Sequence, residues 1–488
     1  MSNDCSKQEQ GELSKPRLPP EVLTQVFKCL LLDGLDEWAS LDVVAASLVC
    51  KEWQAAAEYL FGDTFKTLPS SKDYDLAYFG RALALLRTSR VLGVHYGNRV
   101  ENIDIDLTLL DASVSDTLFT YNQAVEDMFA ELFALAVQLC CVKIRDTGNS
   151  SSTDEANSDL ADISDLDPDD ETAIYLAQFY RRILQHCHKT TRLILPKGNL
   201  EEFQANILID GLSATLEHIE TDTIWSRWSK SHGGLNPCQM SLTRCHNLRS
   251  FCTTYSDAAL EKIIPSWPRL EQFCIESYHK NPVENIDRML VQLGRWCPRL
   301  RRFELLSDEP AYLDDGDEEE EPSNAALCFL ASRCPHLQYI AIEGNQSLRD
   351  SFLGVLGWSA KGLRYLYLDR CLGLNSDKLD VTWPELRRLS LTNCLMLDVA
   401  YVRKFVAAAP KLAYIEIPMH LEHLAEFLKG QGFEEIYGSP FEWQRLGEWQ
   451  DEEKYDVPED GEEVKQYSKL SLAWLRETRG FTSNVYSQ

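Results

Sequence analysis

Six copies of one short pattern, Leu-x-x-Leu-x-Leu with Ile or Phe at some later positions, recur in the second half of the chain. They begin at Leu270, Leu300, Leu337, Leu363, Leu386 and Leu412. Counted from Leu248, successive first leucines lie 22, 30, 37, 26, 23 and 26 residues apart. The alternation within residues 365–368 is typical of a strand, and residues 324–332 and 402–409 have helical character. A unit this short cannot bury its own apolar side, so the units must stack.

This spacing resembles the leucine-rich repeat, and the interval of 37 residues contains an acidic insert. Two copies continue as Leu-x-Leu-x-x-Cys, ending at Cys371 and Cys394, which resembles the cysteine-containing subclass that is often attached to F-boxes. We interpret both cysteines as small hydrophobes in buried turns. Weaker copies begin at Val100, Leu139, Thr190 and Leu216. The resemblance implies an α/β fold, a solenoid with parallel strands on its concave face and helices outside.

A different pattern occupies the N-terminus. The prolines at positions 19 and 20 precede an apolar run, which is a helix start signal. Leu23, Val26, Phe27 and Leu30 follow as one helical stripe. A second apolar helix is predicted over residues 41–59. Its predicted buried side is marked by Val43, Val44, Leu48, Val49 and Trp53.

Together these residues resemble the F-box, although the connection over residues 31–40 is longer than usual. The resemblance implies docking on a Skp-type linker protein, which carries a cullin and a RING subunit. The residues that it assigns to this contact are Leu18, Pro19, Val22, Leu23, Val26, Phe27, Leu30, Val43, Val44, Leu48, Val49, Cys50 and Trp53. The alternative is that residues 18–60 are a helical cap on the repeats.

The net charge of −28 belongs almost entirely to three segments. Residues 146–171, 308–321 and 448–463 together carry −27, so the rest of the chain is near neutral. Such runs stay solvated, and their sign argues against nucleic acid or anionic membrane as a partner. The predicted layout is as follows: a disordered N-terminus at residues 1–16, an F-box at 17–62, the repeat solenoid at 63–440 with acidic disordered inserts at 146–171 and 308–321, and an acidic, aromatic-containing cap or tail at 441–488.

The variable strand positions of the repeats are the candidate binding surface for a client protein. They are Arg302, Glu304, Tyr339, Glu343, Tyr365, Tyr367, Asp369, Arg388, Tyr414 and Glu416. Tyr and Arg are frequent at interface hot spots, and Tyr339, Tyr365 and Tyr367 are expected to form one exposed aromatic strip. The alternative is that each is an ordinary solvated strand residue.

No nucleotide-binding, serine hydrolase or zinc protease motif is found in the sequence. We therefore expect a non-catalytic protein without cofactor or metal. The 15 cysteines contain no Cys-x-x-Cys and are expected to be reduced thiols in the cytoplasm, the nucleus or both. The F-box and repeats together look fungal in style. They predict a substrate-recognition adaptor of an SCF-type ubiquitin ligase, or alternatively a scaffold that acts outside the assembled ligase.

Overall fold

A computed structural model describes most of the chain between residues 19 and 445. The described residues are 19–32, 38–51, 53–55, 57, 67–68, 76–110, 122–145, 171–196, 202–221, 235–254, 259–276, 286–307, 321–374, 380–436 and 439–445. They belong to two compact units, residues 1–281 and residues 282–488. The predicted N-terminal segment at 1–16, nearly all of both acidic inserts and the tail from 446 lie outside the described residues.

The chain begins with two helices, α1 (Pro20–Leu32) and α2 (Trp38–Ser47). The backbone N–H groups of Val22 and Leu23 donate to the Pro19 carbonyl at 3.0 and 3.1 Å. Pro20 has no N–H to satisfy and fits the first helical position. The predicted helix start is therefore confirmed.

The prediction of one continuous helix over residues 41–59 is wrong, because this segment contains the end of α2 and a separate helical stretch. Helix α2 stops at Ser47, and the chain turns through Leu48 and Val49 before helical structure resumes at Lys51. Ser47 Oγ donates to the Val44 carbonyl at 2.6 Å and accepts a hydrogen bond from the Tyr96 hydroxyl at 2.8 Å. A serine hydroxyl that bonds to the backbone in this way competes with the helix, which accounts for the break.

Unit 1 continues as a stack of strand-and-helix repeats. Its described strands are β1 (Thr67–Leu68), β2 (Asn102–Asp106), β3 (Cys141–Arg145), β4 (Arg192–Ile194), β5 (His218–Thr221), β6 (Ser250–Thr253) and β7 (Gln272–Ile275). Its described helices are α3 (Leu76–Val91), α4 (Gln123–Leu135), α5 (Glu171–Leu184), α6 (Glu202–Leu212), α7 (Pro237–Leu242) and α8 (Leu260–Ile263). The strands pair in chain order and in parallel. All four weaker copies of the leucine pattern are confirmed, because a strand starts two residues after each.

Unit 2 has the same plan. Its described strands are β8 (Arg302–Leu305), β9 (Tyr339–Glu343), β10 (Tyr365–Asp369), β11 (Arg388–Ser390), β12 (Tyr414–Glu416), β13 (Phe433–Ile436) and β14 (Ser439–Arg445). Its described helices are α9 (Ile286–Trp296), α10 (Asn324–Arg333), α11 (Asp350–Ser359), α12 (Val399–Ala408) and α13 (Ala425–Gly430). Strands β8 to β12 are parallel, whereas β14 lies antiparallel between β12 and β13. The α/β repeat fold is confirmed.

The pattern leucines form the core on one side of the strands. Leu366 and Leu368 are fully buried, whereas Tyr365 and Tyr367 alternate with them on the other side, which we call the open sheet face. The predicted buried cysteines are confirmed as well. Cys371 and Cys394 are fully buried, and their thiols donate to the Ile342 and Leu368 carbonyls at 3.6 and 3.5 Å.

Part of the aromatic tail closes the C-terminal end of unit 2. The side chain of Trp443 on β14 is 0% exposed, and Trp443 pairs with Ile415 of the last parallel strand. An open end of a repeat stack exposes core, so an antiparallel strand with a large apolar side chain is an effective cap. Of the predicted cap or tail at 441–488, residues 441–445 are described, and they lie in this strand.

Replacing Trp443 with alanine should destabilise this cap. Truncating a fully buried tryptophan typically costs about 3–5 kcal/mol, so amide exchange in residues 414–416 should accelerate strongly in Trp443→Ala. The matched control is Trp358→Ala, because Trp358 is 78% exposed and its loss should change little. Equal exchange in the two variants would contradict the capping role.

Candidate functional site

The N-terminal helices expose an apolar edge. Val22 and Val26 lie one helical turn apart on α1 and are 43% and 44% exposed. Val49, in the turn after α2, is 68% exposed, and the neighbouring Cys50 is exposed too. We call these four residues the valine edge. Among the predicted linker contacts whose side chains are described, these four and Pro19 are exposed.

Other predicted contacts face inward. Leu23, Phe27, Val43 and Val44 are at most 2% exposed, and the Phe27 ring meets the half-buried Trp53 edge-on at 5.7 Å. Their direct contribution to docking is thus small, and their role is to hold α1 against α2. The expectation that Val49 lies on the buried side of the second helix is wrong, because the chain turns at Leu48. The α1 stripe divides between two faces, with Leu23 and Phe27 buried and Val26 exposed. Pro19 is exposed and Leu48 is half-buried, while Leu18 and the side chain of Leu30 lie outside the described part.

The open sheet face of unit 2 carries a row of arginine and tyrosine residues. The register pairs Arg302 with Tyr339, Tyr339 with Tyr365, Tyr365 with Arg388, and Arg388 with Tyr414. The Arg302 guanidinium lies 4.3 Å from the Tyr339 ring centroid, and that of Arg388 lies 4.4 Å from the Tyr414 ring centroid. Each strand therefore contributes one planar, polar-edged group to a continuous row.

A second row lies two residues further along the strands. It runs through Glu304, Ala341, Tyr367, Ser390 and Glu416. Ser390 Oγ donates to the Glu416 carboxylate at 2.9 Å. Arg302 of the first row forms an ion pair with Glu304 of the second row, so an electrostatic contact links the two rows.

The predicted tyrosine strip is present but less exposed than expected. The Tyr339 ring lies 6.0 Å from that of Tyr365 and 5.4 Å from that of Tyr367, and all three are half-buried. Arg388 and Tyr414 are buried, as is Glu304. The reason is that neighbouring arginine and tyrosine side chains cover one another across the strands. Burial raises the pKa of the Tyr367 and Tyr414 hydroxyls, so both remain neutral hydrogen-bonding groups.

A polar cluster lies where strands β9 and β10 end. Glu343 and Asp369 of this cluster are predicted client-binding residues, whereas the sequence analysis does not predict Arg370. Arg370 has a left-handed backbone with a φ of 52°. Its guanidinium contacts Asp369 at 3.2 Å and Glu343 at 3.7 Å and donates to the Ser307 carbonyl at 2.9 Å. Asn393 has the same backbone conformation one repeat later and donates to Asp369 at 2.9 Å. Both residues precede the cysteine of Leu-x-Leu-x-x-Cys, which is the signal that marks them.

Comparison with known protein families identifies the N-terminal segment. The F-box-like family matches residues 16–62, the segment that carries the valine edge and its supporting core. Residues 16–62 are an F-box-like domain. No curated protein matches the chain.

Solved structures resemble between 61% and 81% of the chain at low identity. The Rad7–Elc1 complex of yeast matches at 12% identity and a TM-score of 0.49, covering 81% of this chain and 87% of that one. An internalin of Listeria monocytogenes matches at 13% and 0.27, covering 63% and 81%. The complex of TLR13 with ssRNA13 matches at 12% and 0.30, covering 61% and 36%.

Two kinds of feature are absent from the described part of the chain. No group of three or more His, Cys, Asp or Glu side chains is placed there to hold a metal ion. None of the helices described is both long and apolar enough to cross a membrane.

The open sheet face of unit 1, which follows the F-box-like domain, is built from other residue types. Asp104 accepts a hydrogen bond from Arg145 at 2.9 Å and lies 3.9 Å from Lys143. On β5, His218 is paired in register with Arg192 and Ser250. Burial, followed by the charge of Arg192, lowers the pKa of His218 from 6.5 to about 3. The folded chain therefore keeps this imidazole neutral.

His218 should make the stability of unit 1 depend on pH. In the unfolded chain the imidazole binds a proton below pH 6.5, but in the folded chain it does so only below about pH 3. As the pH is lowered from 6.5 to about 3, the free energy of unfolding should therefore decrease. This residue contributes up to about 1.4 kcal/mol of that decrease per pH unit. Denaturant titrations should show a shallower fall for His218→Gln, while a variant of the exposed His246, His246→Gln, should follow the parent. An unchanged slope for His218→Gln would contradict this assignment.

Proposed function

We propose that this chain is a non-catalytic substrate-recognition adaptor of an SCF-type ubiquitin ligase. The F-box-like domain binds a Skp-type linker protein, which brings a cullin and a RING subunit, and the repeats bind a client protein. The observation that carries the proposal is the valine edge, an exposed apolar surface on a domain whose own core is already closed.

The valine edge fits a protein partner. Burying the exposed part of such side chains gains about 25 cal/mol per Å² of apolar area. The exposed valines obtain this stabilisation only when a partner covers them. Because Leu23 and Phe27 are already packed against Trp53 and α2, the edge is not needed for the domain's own core.

The arginine–tyrosine rows of unit 2 are the proposed client surface. Tyr and Arg are the residues most often found at the centre of protein interfaces, in well-packed settings. Stacking of Arg302 on Tyr339 and of Arg388 on Tyr414 fixes these long side chains before binding, which lowers the entropy cost of binding. The ubiquitin transfer itself is done by the partners, and the chain contributes proximity. The reduced thiols fit a place in the cytoplasm or nucleus.

Charging the valine edge should abolish linker binding without unfolding the chain. In a variant with Val22→Glu and Val26→Glu, two carboxylates occupy an interface that must be dry. Contacts at interface hot spots are worth about 2 kcal/mol or more each, so capture of the purified linker should fall at least thirtyfold. The measurement is a titration with the full-length chain, with circular dichroism as the folding check.

The matched control is Val91→Glu, which places the same charge on a valine that is 86% exposed on α3. It should bind the linker like the parent chain. If the double variant also binds like the parent, the valine edge is not the docking surface. If the parent chain captures the linker from a cell extract without any cullin, a scaffold acting outside the ligase replaces the adaptor proposal.

Removing two rings from the open sheet face should reduce client capture. Tyr365→Ala combined with Tyr367→Ala should lower recovery of clients about tenfold or more while linker binding stays unchanged. Clients are identified with the Val22→Glu, Val26→Glu chain, in which they are bound but not passed to the ligase. Tyr175→Ala, on the half-exposed side of α5, is the control. Full client recovery by the Tyr365, Tyr367 variant would refute the assignment.

A further inference from the structure

Two cysteines face each other across neighbouring strands in unit 1. Cys252 on β6 and Cys274 on β7 are direct register partners in a parallel pair. Their strand neighbours Phe251 and Phe273 are buried in the core, so both thiols lie on the open sheet face. Both are half-buried rather than fully enclosed, and small reagents therefore reach them from that face.

Their spacing suits a disulfide. Neighbouring strands lie about 4.8 Å apart, inside the range of about 4.4–6.8 Å between Cα atoms that disulfides span. The preferred Cβ separation of about 3.8 Å is somewhat shorter, so the strands must draw slightly together. A bond formed in this way is more easily reduced than a relaxed one, which favours a reversible link over a permanent one.

Two other pairs of neighbouring thiols in the described part of the chain are shielded. Cys371 and Cys394 are fully buried, as are Cys297 and Cys334. Burial raises the pKa of Cys334 to about 12 and that of Cys371 far above its ordinary value. The thiolate is the reactive form of cysteine, and reagents must have access to it. These four buried thiols are therefore inert, whereas Cys252 and Cys274 are accessible.

We propose that Cys252 and Cys274 are a redox-sensitive pair that closes to a disulfide when the chain meets hydrogen peroxide. One thiol attacks the peroxide O–O bond, which breaks to give a sulfenic acid and one water. The second thiol then displaces the hydroxyl group from that sulfur, and a second water leaves as the S–S bond forms. Both sulfurs are oxidised and the peroxide is reduced, and a thiol such as glutathione reverses the change by exchange.

The surroundings of the pair are polar. Glu276 accepts a weak hydrogen bond from the Cys252 thiol at 3.9 Å and one from Thr254 at 3.3 Å. Glu220 is the register partner of Cys252 on the other side. The thiols therefore sit among polar groups on an accessible face, and the new bond would join two consecutive repeats. This inference does not depend on the proposed ligase function.

The test is peroxide treatment of the reduced full-length chain, followed by alkylation of the remaining thiols, digestion without reductant and mass spectrometry. The expected result is a cross-linked peptide pair joining Cys252 and Cys274, two hydrogens lighter than the two peptides together. Two alkyl labels per chain are lost, and both are regained after reduced glutathione. Amide exchange in residues 251–253 and 273–275 should slow in the oxidised chain.

Variants separate this pair from other thiols. Cys252→Ser and Cys274→Ser should each abolish the cross-link, and the remaining cysteine should carry a sulfenic acid or a glutathione adduct. Cys328→Ser removes another half-buried thiol, on α10, and should leave the cross-link unchanged. The proposal is overturned if peroxide leaves both cysteines alkylated, or if Cys252 is cross-linked to any cysteine other than Cys274.

Discussion

One backbone arrangement, repeated between neighbouring parallel strands from β2 to β7 and from β8 to β12, sets the geometry of both units. The carbonyl just before a strand accepts two N–H groups from the start of the next strand. Arg249 O accepts from Glu271 N and Gln272 N at 2.7 and 2.8 Å in unit 1, and Arg364 O accepts from Arg387 N and Arg388 N at 2.8 and 3.0 Å in unit 2. Backbone groups buried between repeats must be paired, and this arrangement pairs them whatever the length of the intervening segment. The repeat length therefore varies widely while the register does not.

A fixed register converts a one-dimensional sequence into rows on the open sheet face. It is the reason that Arg302, Tyr339 and Tyr365 are neighbours although long segments separate them, and that Cys252 faces Cys274. Parallel strands bring like positions of successive repeats together, so the chemistry of the face is determined by one or two residues per repeat. In unit 2 those positions hold arginine and tyrosine, which stack on one another, and this stacking rather than the strand geometry determines how much of each side chain remains exposed.

Leucine spacing was sufficient to predict the repeats, strands β2 to β12 and, in the clear copies, the face on which the strand residues lie. It did not predict exposure, because coverage of Tyr414 by Arg388 depends on a contact 26 residues away. The break in the second helix could not be predicted from local sequence either, because Ser47 accepts a hydrogen bond from Tyr96, 49 residues further along the chain. The apolar stripe on α1 was ambiguous for a related reason. Val22, Leu23, Val26 and Phe27 span about half the helix circumference, and only packing against α2 decides which two are buried.

The contacts of Ser47 also bear on what the F-box-like domain is in this chain. The Tyr96 hydroxyl that fixes the end of α2 comes from the repeat side of unit 1, and Asp42 of α2 pairs with Arg81 of α3. A buried hydrogen bond of this kind contributes about 1 kcal/mol and, more importantly, costs more than that to leave unmade. The turn that exposes Val49 thus depends on residues outside the matched segment 16–62. The position of Val49 on the valine edge is therefore set in part by residues of unit 1 that follow the F-box-like domain.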